Sequence, residues 1–317
     1  MGADRQRVET AMLDAVRTPD AYLTEIASHL ITAGGKRLRP VMTIVASQIG
    51  TNPQAGPATH EAVQGGIACE LVHLGSLYHD DVMDEAETRR GVETVNAKWG
   101  NLQAILAGDF LLARASEIAA SLGTEVAGLL ARTIGQLCEG QIEELRHTYD
   151  IKRPVDSYLL SIEGKTASLY STAARIGGLV AQFERPIVDA LTAYGTAYGM
   201  VFQIVDDILD ITSTDSELGK PAGHDMVEGV YTLPVLETLA SDTAAAGQLR
   251  AMLGQPLDTN QQKTALDIVR SGNGMHAAIA MANNYVAKAE AACDAMPQND
   301  ATQALRDAAA ALLNSIR

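Results

Sequence analysis

Two short acidic patterns dominate the chemistry this chain could perform. The first, His79-Asp80-Asp81-Val82-Met83-Asp84, closes an apolar stretch running from Ile67 to Tyr78. The second, Asp206-Asp207-Ile208-Leu209-Asp210, follows a stretch that holds Met200, Val201, Phe202, Ile204 and Val205. On helices, Asp80 and Asp84 project from one face a turn apart, and Asp206 and Asp210 repeat that geometry. Paired carboxylates repel each other, and a hard cation relieves the repulsion. Mg²⁺ takes one or two carboxylates and completes its shell with water and substrate phosphate. A single such pattern among 39 acidic residues reads as a solvated helix end. Two copies set in apolar flanks, where an uncompensated carboxylate is costly, read as metal sites formed by Asp80, Asp81, Asp84, Asp206, Asp207 and Asp210.

The positive charges are placed to match. Lys36, Arg37 and Arg39 crowd into a loop that starts at Gly34-Gly35 and ends at Pro40, a flexible backbone presenting donors to a tetrahedral anion. Arg89-Arg90-Gly91 follows the first acidic pattern, Gly164-Lys165-Thr166 lies in a helical stretch, and Gly219-Lys220-Pro221 follows the second acidic pattern. Any one of these is an ordinary surface feature. Together with two acidic patterns they point to two polyphosphate groups held side by side.

The elements that must position these residues are helices. Of the 317 residues, 47% are hydrophobic but only 4% aromatic, so the apolar mass is Ala, Leu, Val, Ile and Met. Apolar residues at Leu23, Ile26, Ala27 and Leu30 mark a helix from Asp20 to Ala33, and further helices suit Ala62 to Met83, Leu102 to Leu122, Val126 to Tyr149, Val155 to Ile176 and Ile187 to Ile211. Strand-like alternation is scarce. No repeat, linker or composition break divides the chain, so a single domain over 1–317 is expected. The net charge of −15 argues against nucleic acid as a partner. Three scattered cysteines suit a reducing compartment. The opening residues carry charges and no apolar core of a signal peptide, and the charge-free stretch from Ala190 to Val205 is too short to span a bilayer, so a cytoplasmic location without a transmembrane segment is expected.

The motifs GGKRLRP, ELVHLGSLYHDDVMDEAETRRG, GKTASL, FQIVDDILDI and GKPAGHDMVEGVYTLP resemble, in order, those of the trans-type polyprenyl diphosphate synthases. The likeness spans Gly34 to Pro234. It implies an all-α bundle of long helices around a central substrate cavity, a homodimer, and Mg²⁺ as cofactor. It also implies the condensation of isopentenyl diphosphate with an allylic diphosphate. By this resemblance Asp80, Asp84 and Asp206 hold metal, while Asp81, Asp207 and Asp210 act behind them. Arg89, Lys165 and Lys220 grip the allylic diphosphate, and the basic loop residues Lys36, Arg37 and Arg39 with His73 and Arg90 hold isopentenyl diphosphate. Thr166 and Gln203 offer oxygen dipoles to the allylic cation. The leaving pyrophosphate can itself take the proton, so no protein base is named. Val230 stands where relatives carry a second basic residue, which leaves that loop one cation short.

Product length in the family is set one turn before the first acidic motif, where a bulky side chain floors the tunnel. Here those positions are Gly75 and Ser76, and neither can block. Tyr78 turns to the opposite face, so a long all-trans product of roughly seven to ten isoprene units is expected, the class that supplies quinone side chains. The floor then lies deeper, at Leu130, Ile134 or Leu137. Competing readings are a short-chain synthase making farnesyl or geranylgeranyl diphosphate, an HD-type phosphohydrolase built on His79-Asp80, a class I terpene cyclase, and a non-catalytic synthase subunit. The hydrolase leaves the second acidic pattern unexplained, the cyclase usually replaces it, and the subunit typically loses both.

Overall fold

The computed structural model describes residues 2–50, 57–213 and 222–316. The chain folds into two compact units. The first comprises Met1–Ile134, Leu169–Thr192 and Ala295–Ala304. Its helices include α1 (Gly2–Ala15), α2 (Ala21–Thr32), α3 (Leu38–Gln48), α4 (His60–Met83), α5 (Val95–Trp99) and α6 (Asn101–Ser121). Asp20 caps α2 by accepting from the Tyr22 and Leu23 amides, and Thr59 caps α4 by accepting from Ala62. The long helix α4 buries Ile67, Ala68, Leu71, Val72, Leu74 and Tyr78 and packs along α3 and α6. The Tyr78 hydroxyl donates to the Ile26 carbonyl at 2.8 Å, which ties α4 to α2.

Among the described residues the only strands are β1 (Thr88–Arg89) and β2 (Val92–Glu93), antiparallel, with Thr88 opposite Glu93. Arg90 and Gly91 form the two-residue turn between them, with φ of 54° and 77°. Positive φ at both central positions is the turn whose twist suits a tight hairpin. The His29 ring donates to the Glu93 carbonyl at 2.7 Å, so α2 holds the hairpin in place.

The second unit comprises Gly135–Ser168, Ala193–Asp294 and Leu305–Arg317. It draws on α7 (Thr124–Arg146), α8 (Val155–Ile162), a π-helical turn (Glu163–Ala167), the start of α9 (Ser168–Val180), and α10 (Arg185–Thr212). Shorter helices α11 (His224–Val227), α12 (Leu233–Leu239), α13 (Ala244–Met252) and α14 (Thr259–Ser271) come next, then α15 (Asn273–Asp294) and α16 (Asp300–Asn314). Met200, Val201, Ile204 and Ile208 of α10 share a core with Leu233 and Leu236 of α12 and with Ala278 and Ala282 of α15. The expected helix from Val155 to Ile176 is interrupted by the π-turn, where the Ser168 amide reaches the Glu163 carbonyl five residues back. A Cβ on Gly140 would fall 2.5 Å from the Lys165 amide nitrogen, and one on Gly164 would fall 2.8 Å from the Gln136 carbonyl. Two glycines therefore let α7 and the π-turn meet backbone to backbone. No described helix is long and apolar enough to cross a membrane.

Candidate active site

In the first unit the acidic motif ends α4. Asp84 caps the helix, its amide bonded to the Asp80 carbonyl at 2.8 Å, so the two residues stand one turn apart. Asp80 is half-buried and Asp84 exposed, whereas Asp81 is fully buried. The Arg89 guanidinium donates to Asp81 Oδ1 at 2.5 Å, which locks the hairpin to the acidic motif. Asp81 Oδ2 is buried with no hydrogen-bond partner. Burial pushes the Asp81 carboxyl up, against the pull of Arg89.

The basic residues of this unit gather around His73 on α4. Burial, and then the positive fields of Arg39, Arg90, Arg89 and Arg37, hold its imidazole well below the usual range. Arg39 lies over the Tyr170 ring at 4.7 Å, with its Nε buried and without a hydrogen-bond partner. Arg90 donates to the carbonyls of Leu30 and Gly34, so the hairpin and the Gly34-Gly35 loop are joined. Lys36 is exposed beside them. Arg39, expected in a loop, belongs to α3, because Arg37 takes a left-handed conformation at φ 52° and the helix starts at Leu38.

Arg37 does not join the anion-facing set. Its guanidinium donates to Glu9 at 2.8 and 3.0 Å, to Glu70 at 3.3 Å and to the Ile31 carbonyl at 2.8 Å. With 2% exposure it has no face left for a ligand. Gly75 likewise does not border open space. Its smallness is used against α6, where an added Cβ would meet the Gly108 carbonyl at 3.0 Å and Leu112 at 3.3 Å. Ser76 is half-buried and donates to the His73 carbonyl at 2.9 Å. Leu130 is buried, and Ile134 and Leu137 are half-buried.

In the second unit the acidic motif lies within α10. Asp206 is exposed, whereas Asp207 and Asp210 are buried. Asp207 accepts from the Tyr158 hydroxyl at 2.6 Å and from Gln203 Nε2 at 2.9 Å, and the Gln203 carbonyl oxygen accepts from Thr166 at 2.7 Å. Burial pushes the Asp207 carboxyl well up, helped by Asp225, while the bonds from Tyr158 and Gln203 oppose the shift. Lys165 pairs with Glu144 of α7 at 2.7 Å. Lys220 lies outside the described residues.

Sequence reasoning missed Glu9, Glu70, Glu144, Tyr158 and Tyr170. Tyr158 stands two turns before Lys165, and Glu70 opens the ELVHLGSLYHDD motif, but neither spacing announces a partner. Among the described residues no three His, Cys, Asp or Glu side chains cluster into a ready-made metal site. Each motif instead offers carboxylate pairs of hard oxygen donors, and Asp81 keeps one buried oxygen unpartnered. That donor set fits a hard divalent ion that draws the rest of its shell from water and phosphate.

Comparison with known proteins decides the family. Residues 20–270 match the polyprenyl synthetase family. The chain belongs to it. This polyprenyl synthetase is 41% identical over 300 residues to the nonaprenyl diphosphate synthase of Mycobacterium tuberculosis, covering 94% of this chain and 88% of that one. It is 39% identical over 307 residues to heptaprenyl diphosphate synthase component 2 of Geobacillus stearothermophilus, covering 96% and 94%. The geranylgeranyl pyrophosphate synthase of Corynebacterium glutamicum, solved with calcium and isoprenyl diphosphate, superposes with a TM-score of 0.87 at 36% identity, covering 99% and 96%. The polyprenyl synthetase is thus an all-α prenyltransferase, which removes the phosphohydrolase reading.

Proposed function

We propose that this enzyme is a long-chain all-trans polyprenyl diphosphate synthase. It adds isopentenyl diphosphate repeatedly to an allylic diphosphate until the product holds roughly seven to ten isoprene units, a length suited to quinone side chains. The observation that carries this reading is the likeness, over nearly the whole chain, to a nonaprenyl diphosphate synthase and to component 2 of a heptaprenyl diphosphate synthase, in a sequence that keeps all six motif aspartates.

In each cycle the C1–O bond of the allylic diphosphate breaks, the C4 alkene carbon of isopentenyl diphosphate attacks C1, and a proton leaves C2 to the departing pyrophosphate. Asp80, Asp84 and Asp206 are the residues to hold Mg²⁺, with Asp81, Asp207 and Asp210 behind them. When bound, the ions neutralise charge growing on the leaving group. Arg89, Lys165 and Lys220 grip the allylic diphosphate, which keeps it aligned while its bond to carbon lengthens. Lys36, Arg39, His73 and Arg90 receive the second diphosphate. The arginines that add to burial in holding the His73 imidazole below its usual range suit an anion there. Thr166 turns an oxygen dipole to the allylic cation without trapping it, and the Gln203 oxygen, expected to do the same, is instead taken up by the Thr166 hydroxyl.

The enzyme acts in the cytoplasm as a homodimer. Leu102, Ile105 and Leu106 on α6 are 73%, 41% and 66% exposed, an apolar stripe that a second copy would cover. The test is incubation with Mg²⁺, labelled isopentenyl diphosphate and farnesyl or geranylgeranyl diphosphate, then sizing of the dephosphorylated products. A long product abolished by chelation and by Asp80→Ala is expected. Products stopping at three or four units would move the assignment to the short-chain synthases.

A further inference from the structure

The second acidic motif contains a directed chain of hydrogen bonds whose far end has no role in the reaction described above. It begins at Tyr158 on α8, 1% exposed, whose hydroxyl donates to Asp207 Oδ2 at 2.6 Å. Gln203, one turn before Asp207 on α10, donates through Nε2 to Asp207 Oδ1 at 2.9 Å. Thr166 in the π-turn then donates to Gln203 Oε1 at 2.7 Å. Asp207 accepts from both Tyr158 and Gln203, so Gln203 faces it with the amide nitrogen. The amide is planar, so its oxygen must point the other way, to Thr166. A hydroxyl has one proton, and Thr166 has committed it to Gln203. Whatever lies on the other side of the Thr166 oxygen meets lone pairs only.

We propose that Tyr158 is a positioning residue of the reaction: by donating to Asp207 it fixes the direction of the Asp207–Gln203–Thr166 chain, so that Thr166 presents a bare oxygen to the allylic cation. This rests on the synthase reading. The direction matters because a lone pair attracts the developing positive charge and a hydroxyl proton repels it. Tyr158 can hold that direction from a distance because each bond in a chain polarises the next. Without its donor, one oxygen of the buried Asp207 loses its partner, and the carboxylate can turn and release Gln203. The π-turn contributes by setting Thr166, rather than a neighbouring residue, at the end of the chain.

The wild-type enzyme must first make a prenyl product, and its failure to do so would count against the synthase reading alone. Tyr158→Phe is then compared with Thr166→Val and with the double variant in a cycle. Tyr158→Phe is expected to lower kcat about tenfold with both KM values within twofold of wild type. Because Tyr158 acts through Thr166, the double variant should be no slower than Thr166→Val alone. Equal proportional losses in both backgrounds, an unchanged kcat, or a loss confined to KM would each overturn the proposal. If Tyr158→Phe proves poorly folded, Asp207→Asn provides the same cycle with the hydrogen-bond count kept. Its amide nitrogen would face Gln203, turn that amide over and push the Thr166 proton outward. The resulting kcat loss should vanish in the Thr166→Val background, and its persistence there would sink the idea.

Discussion

Gly75 and Gly108 confront each other across α4 and α6. A Cβ at the first would fall 3.0 Å from the carbonyl oxygen of the second, and a Cβ at the second 3.1 Å from the carbonyl oxygen of the first. Both contacts are tighter than side chains normally tolerate, and backbone cannot swing away as a flexible side chain can. Gly75→Ala is therefore expected to destabilise the enzyme by about 1–3 kcal/mol, read as a lowered melting temperature. Gly75→Tyr would damage the fold before it could report on the tunnel. Ser76→Phe is the cleaner probe of length, and it should shorten the product. An unchanged product distribution with Ser76→Phe would place the floor elsewhere.

Arg37 and its neighbour Lys36 should separate stability from binding. Arg37 and Glu70 have side chains only 1% and 2% exposed, so Arg37→Met strands a buried carboxylate and should cost about 3–5 kcal/mol. Lys36→Ala removes an exposed charge, should leave the melting temperature within a degree or two, and should raise KM for isopentenyl diphosphate. Denaturant melts and steady-state kinetics on the two variants check both halves. A raised KM without loss of stability in Arg37→Met would return that residue to the ligand set.

His73 makes acid stability predictable. Its folded imidazole lies well below the ordinary 6.5, so the unfolded chain binds a proton below that pH that the folded one refuses. Stability therefore falls as pH drops below about 6.5, and rises again towards neutrality. His73→Gln should flatten that limb. A bound diphosphate offsets the neighbouring arginines, so saturating isopentenyl diphosphate should also reduce the acid loss in the wild type. Denaturant midpoints between pH 5 and 7, with and without ligand, measure it.

The helices and the two acidic motifs were legible because each rests on local spacing. α2, α4, α6, α7 and α10 fall within a few residues of their expected ends, since apolar periodicity and capping residues such as Asp20 and Thr59 act over one or two turns. The partners were not legible because they come from distant chain. Glu9 reaches Arg37 from α1, Glu144 reaches Lys165 from α7, and Tyr158 reaches Asp207 from α8. The Thr88–Glu93 hairpin was missed because two-residue strands show no alternation, and only Arg90-Gly91 carries the turn. Gly75 was misjudged for a related reason, because a missing side chain looks the same whether it faces a cavity or another helix.

Glu144 competes for the cation that should grip the allylic diphosphate. Lys165 is about one-third exposed, and its partner carboxylate sits 2.7 Å away. Glu144→Gln removes that competitor and is expected to lower KM for the allylic substrate severalfold, with little change in stability because the pair is partly solvated. A raised KM would show instead that Glu144 holds Lys165 in its binding position.

The π-turn at Glu163–Ala167 makes this part of the enzyme sensitive to residue number as well as residue type. It stores one residue more than an α-helical turn would, and the Gly140 approach leaves no lateral room to absorb a change. Excising Glu163 would remove that extra residue, rewind the segment as plain α-helix and shift Lys165 and Thr166 within the turn. Lys165 and Thr166 would keep their identities and lose their bearings. A length polymorphism there would therefore silence a chain in which every motif letter was intact.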